Sequence, residues 1–415
     1  MLRPLLCASA LAIAAPAHAK TIDVQPSDND QEAIQLALLD AQPGDTVHIR
    51  AGTYALSDGL SLDVDGVTIR GDGPAATILS FKGQTGAGEG LLVTSDRVLM
   101  TGFAIEDTRG DAIKAKGVDR ITFDDVRAEW TNGPDAENGA YGLYPVESTN
   151  ILIMNSEVIA ASDAGIYVGQ SDNIVVRDNR VHMNVAGIEI ENSTNAEVHD
   201  NHAWGNTAGV LVFDLPNLPK MGGHSTVVRD NVIVANNTPN FAAPGNIVAG
   251  VPAGTGVIVM ANRNVHVVDN FFDGHASAQV MVVGYSQPFE DADYNPLPRD
   301  IVVADNIFGR GGDDPQFEGG AELAAAVGGR IPPIMWDGAA AYLRDGALVE
   351  EPVVMHFDMP ALTLGLAKAG DAPASGTPGM APTTDGKAIP RPDPIVMPAD
   401  QPGVAPADIA MATGN

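Results

Sequence analysis

The chain has 415 residues, with 23 Lys and Arg against 53 Asp and Glu, for a formal net charge of −30. So acidic a surface repels nucleic-acid backbones and anionic lipid headgroups, which sets both aside as partners. A single Cys excludes an internal disulfide, so core packing and hydrogen bonds must hold the fold.

The N-terminus reads as an export signal. Met1-Leu2-Arg3 is followed by a short apolar run and by Ala17-His18-Ala19, a small-x-small cleavage site. The run is too short to span a bilayer. Residues 1–19 are therefore expected to be a cleaved signal peptide, which places the protein in the periplasm or outside the cell without membrane insertion. Cys7 lies inside this peptide, so the mature chain has no thiol.

Residues 20–56 predict a short strand, Thr21-Ile22-Asp23-Val24, then a helix. Asp28 is the expected N-cap, with Gln31 reaching back in a capping box. Ile34, Ala37, Leu38 and Ala41 form one apolar stripe at helical spacing. Pro43-Gly44-Asp45 stops the helix and Thr46-Val47-His48-Ile49 opens the next strand. A helix here would cover the first coil of a solenoid and its unpaired strand edges.

From Gly66 to about Pro315 the chain repeats. Gly165-Ile166-Tyr167-Val168, Gly187-Ile188-Glu189-Ile190 and Gly209-Val210-Leu211-Val212 recur every 22 residues, with Asp178-Asn179 and Asp200-Asn201 closing successive turns. A fixed period of this length is the mark of a solenoid. Side chains alternate along a strand, so Ile166, Ile188 and Val210 point inward and stack at about 4.8 Å. Asn179, Asn201, Asn231, Asn270 and Asn306 occupy one turn position and are expected to form a hydrogen-bonded amide ladder.

The repeat, the Asn turn and the leading helix resemble right-handed parallel β-helix proteins, the pectate-lyase-like superfamily that includes pectate lyases, polygalacturonases, and alginate epimerases and lyases. The resemblance implies an all-β, right-handed parallel β-helix with an N-terminal capping helix over residues 20–315. It carries no catalytic residues across. The polygalacturonase set and the Asp-Pro-His-Asp signature of alginate epimerases are absent. Residues 316–369 lose the repeat but keep apolar groups, and read as a C-terminal cap. Residues 370–415 hold nine of the 29 prolines and no periodic apolar face, and read as a flexible tail.

Alternation also selects a candidate site. If Ile113, Leu143, Ile166, Ile188 and Val210 point in, then Lys114, Tyr144, Tyr167, Glu189 and Leu211 form one outer column. Lys116, Val146, Gly169, Glu191 and Phe213 form a second. Insertions at 130–142, 214–225, 236–255 and 285–299 flank this sheet and would wall a groove. Aromatic and charged groups side by side suit a sugar chain, so the expected partner is a polysaccharide or oligosaccharide, with no protein partner specified.

Two chemistries fit the columns. Lys114, Tyr144 or Tyr167 can serve as acid or base in lyase-type or epimerase-type action on an acidic sugar, with Lys114 and Lys116 neutralising the carboxylate. Alternatively Glu189 and Glu191, two residues apart with carboxyls expected about 6–7 Å apart, form a glycosidase pair. A non-catalytic binding module is the remaining alternative. Trp130, Asp163, Phe213, Asp214 and Lys116 are expected to contact substrate. Histidines 182, 199, 202, 266 and 275 show no metal-ligand spacing and read as surface or turn residues. No cofactor or metal is expected; calcium at Asp163 or Asp214 is the one ion that the carboxylates would suit.

Overall fold

The computed structural model describes residues 19–86, 88–381 and 389–404. The expected signal peptide lies outside these residues, apart from its last position. Almost every strand pair is parallel. One sheet has twelve strands, beginning at Leu60–Leu62 and ending at Gly379–Met380. A second has twenty and turns a corner, so that most coils contribute two strands to it, such as Asp172–Arg177 and Arg180–His182. The long strand Asp119–Glu129 pairs on both sides of the corner and joins the two arms.

The expected stacking holds. Ile166, Ile188, Val210, Val257, Val280 and Ile334 are register partners in successive coils, and all are fully buried. Neighbouring columns do the same on the other sheet, giving one continuous apolar core along the helix axis. The chain is a right-handed parallel β-helix. Among the described residues no helix is long and apolar enough to cross a membrane.

The Asp-Asn turns divide their work. Asp178, Asp200, Asp230, Asp269 and Asp305 adopt φ between 54° and 58°, a left-handed conformation that Asp tolerates better than most side chains. The following Asn points inward. Its amide donates to the next Asn in the row from Asn179 to Asn306, at 2.9–3.0 Å. A second ladder runs Asn184, Asn206, Asn236 and ends on Nε2 of His275. His275 is thus wholly buried, and His266 nearly so, where surface or turn positions were expected. Burial pushes the His275 imidazole down to about 4, which keeps Nε2 free to accept.

Three expectations at the ends need correction. The helix Asp30–Asp40 buries Ile34, Ala37 and Leu38 against the first strands, but its N-cap is Asn29 and no side chain caps it. Gln31 instead donates to the Gly59 carbonyl and accepts from the Ser57 and Asp58 amides. Second, the sheets do not stop at residue 315. Ile334–Trp336 and Leu362–Thr363 extend the twelve-stranded sheet and Met355–Phe357 extends the other. Third, part of the segment read as a tail is packed. Ile389 is buried among Val227, Val268 and Val302, and Ile395, Met397 and Val404 cover Leu152, Met154 and Val175. Gln401 donates to the carbonyls of Ile121 and Asn150. Without periodicity of its own, this segment takes its order from the apolar columns it crosses.

Candidate functional site

The twelve-stranded sheet sets the outer columns in the expected register. Lys114 pairs with Tyr144, Tyr167 with Glu189, and Glu189 with Leu211. In the second column Gly169 pairs with Glu191 and Glu191 with Phe213. What differs is exposure. Tyr167 is 5% exposed, Glu189 1%, Glu191 8% and Phe213 1%. The open solvent face that alternation implies is roofed by the insertions: Val248, Val251 and Leu297 pack with Tyr167, Leu211 and Phe213. At the Lys114 end Lys114, Tyr141 and Tyr144 are half-buried and meet solvent.

Under this roof three carboxyl groups converge. Asp163 accepts a 3.1 Å bond from Nδ2 of Asn246, 83 residues later on the roof. Glu191 accepts a 2.6 Å bond from the Tyr167 hydroxyl. Gly169 makes that reach possible, because a Cβ there would overlap the Tyr167 phenol. Glu189 and Glu191, two residues apart on one strand, are both buried and each bears on the charge of the other.

Burial dominates the electrostatics. Desolvation, with the charge of Glu191 next, pushes Asp163 up to about 7. Desolvation pushes Glu191 up to about 7, opposed by the Tyr167 hydrogen bond. Glu189 is driven well above the carboxylate range by complete burial and by its acidic neighbours Glu191 and Asp163, which favours its protonated form. The Tyr141, Tyr144 and Tyr167 rings pack with centroids 4.5–4.9 Å apart. Burial and the surrounding carboxylates raise all three phenols, which makes them donors and poor bases.

The remaining expected site residues are structural or peripheral. Lys114 sits 4.7 Å over the Tyr144 ring, 3.5 Å from Asp111 and 3.7 Å from Glu89. Lys116 is exposed and 3.5 Å from Glu147. Trp130 is 3% exposed and its Nε1 donates to the Thr108 carbonyl, so it anchors its own loop and offers no ring face to a sugar. Asp214 accepts from the Gly222 and Gly223 amides at 3.1 and 2.8 Å and closes the 214–223 insertion. Sequence reasoning missed Asn246 and Tyr141. Tyr141 lies at the head of the Tyr144 strand, but no local signal marks Asn246. Among the described residues no His, Cys, Asp or Glu side chains form a metal-binding group.

Downstream the columns turn apolar. Phe213, Ile258, Met281 and Met335 floor a cavity of about 610 Å3 whose rim includes Asn246, Ser286 and Gln287.

Comparison with known proteins bears on the fold. Residues 65–218 match the family described as the right handed beta helix region. The A-module of the mannuronan C-5 epimerase AlgE4 from Azotobacter vinelandii is 17% identical, with a TM-score of 0.52, over 76% of this chain and 91% of that one. The AlgE6 A-module from the same organism is 14% identical over 80% and 94%, with a TM-score of 0.45. An alginate lyase from Paenibacillus sp. is 18% identical over 70% and 97%, with a TM-score of 0.42. No curated protein matches the sequence. The coil register, the core columns, the family match over residues 65–218 and the likeness to the AlgE4 module agree on the fold: this chain is a right-handed parallel β-helix.

Proposed function

We propose that the protein is an exported, carbohydrate-active β-helix that binds a polysaccharide over the twelve-stranded sheet and hydrolyses it with Asp163 and Glu191 as the acid–base pair. One observation carries this reading. The two buried carboxyls have both been pushed to about 7, and the charge on Glu191 raises Asp163. Near neutrality one therefore holds a proton while the other is ionised, as acid–base cleavage of a glycosidic bond requires. Glu189 acts through Glu191 as a positioning residue. At 1% exposed it is the most enclosed of the three carboxyls.

Lyase-type or epimerase-type action is the second reading, favoured by Lys114 at the open end of the column. Such chemistry needs a cation on the substrate carboxylate, and Lys114 already lies beside two carboxylates. An uncharged glycan suits these surroundings better. The test is a panel of neutral and uronate polysaccharides, followed by new reducing ends and by ultraviolet absorbance. Reducing ends alone support hydrolysis. A rise in absorbance means elimination and overturns it. Binding without either product leaves a binding module.

A further inference from the structure

The cavity beside the acid cluster is built for something other than sugar rings. Its floor of Phe213, Ile258, Met281 and Met335 and its wall of Leu364 and Leu366 are buried, and none of these side chains carries a strong hydrogen-bonding group. Sugar hydroxyls placed there would lose their water partners and gain none. The two acids in the lining are occupied. Asp337 accepts from the Gly284 and Ala339 amides at 2.6 and 3.0 Å, and Asp371 is paired with Lys368. Among the described residues no Lys or Arg lines the cavity, so none of them offers an anionic headgroup a counter-ion. The exposed rim sets Asn246, Ser286 and Gln287 beside the apolar Ile247, and none of the four is charged. Apolar depth below an uncharged rim that carries polar side chains matches an uncharged amphiphile.

Two links tie this cavity to the acid cluster. Asn246 stands on its rim and donates to Asp163. Phe213 is part of its floor and is the register partner of Glu191. A chain lying in the cavity therefore brings its polar end to Asp163 and Glu191. We propose that the cavity binds the aliphatic chain of an uncharged, alkyl-substituted sugar and presents the sugar to the acid pair. The position of the sugar rests on the polysaccharide reading; the binding of the chain does not.

Calorimetric titration with hexyl, octyl and decyl glucosides below their micelle concentrations tests this. Affinity should rise roughly fourfold for each added methylene, equivalent to about 0.8 kcal/mol. Glucose and octanoate should bind far more weakly than octyl glucoside. Met281→Gln, with its fold checked by circular dichroism, should flatten the chain-length dependence, and Asn246→Ala should weaken all three glucosides while leaving the increment per methylene intact. Affinity independent of chain length, or octanoate binding as tightly as octyl glucoside, overturns the proposal. If plain oligosaccharides are still cleaved in that case, the hydrolytic reading survives it. Chain-dependent binding by a protein inert on every polysaccharide supports the cavity and sinks the hydrolytic reading.

Discussion

The hydroxyl of Tyr167 lies 2.6 Å from Oε1 of Glu191, one coil further along the stack. The bond crosses between two outer columns over a residue with no side chain, Gly169. Because the bond favours the ionised form of Glu191, it holds that carboxyl lower than burial alone would. Tyr167→Phe should therefore raise the pKa of Glu191 and cost about 1–3 kcal/mol by orphaning a buried acceptor. Gly169→Ala should move Glu191 in the same direction by displacing the ring, although the phenol remains. Carboxyl resonances followed by NMR titration check both; an unmoved Glu191 in either variant would break the assignment.

The acid cluster should make the protein more stable in mild acid than in mild base. Asp163 and Glu191 titrate at about 7, against ordinary values of 3.8 and 4.5, and burial raises Asp337 to about 6. Between the ordinary and the raised values the folded state holds more protons than the unfolded chain, so stability falls as pH rises through that window. For every pH unit by which folding raises such a carboxyl, about 1.4 kcal/mol is lost across the window. Melting temperature should decline from pH about 5 to pH about 8, and Glu189→Gln, which removes an acid from the cluster, should flatten the decline. A melting temperature that climbs over that range would contradict the burial of these groups.

Asp163→Asn and Glu191→Gln should each lower polysaccharide turnover by roughly 10²–10⁴-fold, the usual contribution of general acid–base catalysis. Neither should lower the melting temperature at pH about 8, since each removes a desolvated charge. Full activity in either variant, measured as reducing ends per unit time, would remove that residue from the pair. Trp130→Phe is the contrasting case. It should loosen the 130–142 insertion by losing the bond to Thr108 and leave glycan affinity unchanged.

The Asn ladder predicts a large local cost. Asn201 accepts from the backbone and side chain of Asn179 and donates to Asn231, Val176 and His199. Asn201→Ala orphans several buried groups at roughly 1–3 kcal/mol each. The exposed Asn195→Ala, which removes one bond to Asp172, should cost well under half as much. Equal losses in denaturant melts would mean that the ladder does not hold the turns.

Truncation after residue 381 should uncover Val227, Val268, Val302, Leu152, Met154 and Val175. The shortened protein should bind more of a hydrophobic dye such as ANS and melt at a lower temperature. Unchanged dye binding would show that the C-terminal segment does not protect these columns.

The strand repeat was readable because its physics is local. A residue pointing inward at Ile166 forces its counterparts Ile188 and Val210 inward, and the turn pairs Asp178-Asn179 and Asp200-Asn201 state the period twice over. The same logic placed Tyr167, Glu189 and Glu191 on one outer strip. It could not place them under cover, because nothing near them in the chain announces Asn246 or Leu297. The burial of Glu189 and Glu191 has the same origin: alternation turns both carboxyls outward, whereas the roof takes them out of water.

Sequence alone determined the period, and with it the fold and the register, since parallel strands at one fixed spacing leave each side chain a single neighbour in the next coil. Tertiary structure decided the chemistry. The meeting of Asp163 with Asn246, the shelter over Glu191 and the apolar cavity beside it depend on how long insertions pack back onto the sheet, and removing water from those carboxyls is what sets their protonation.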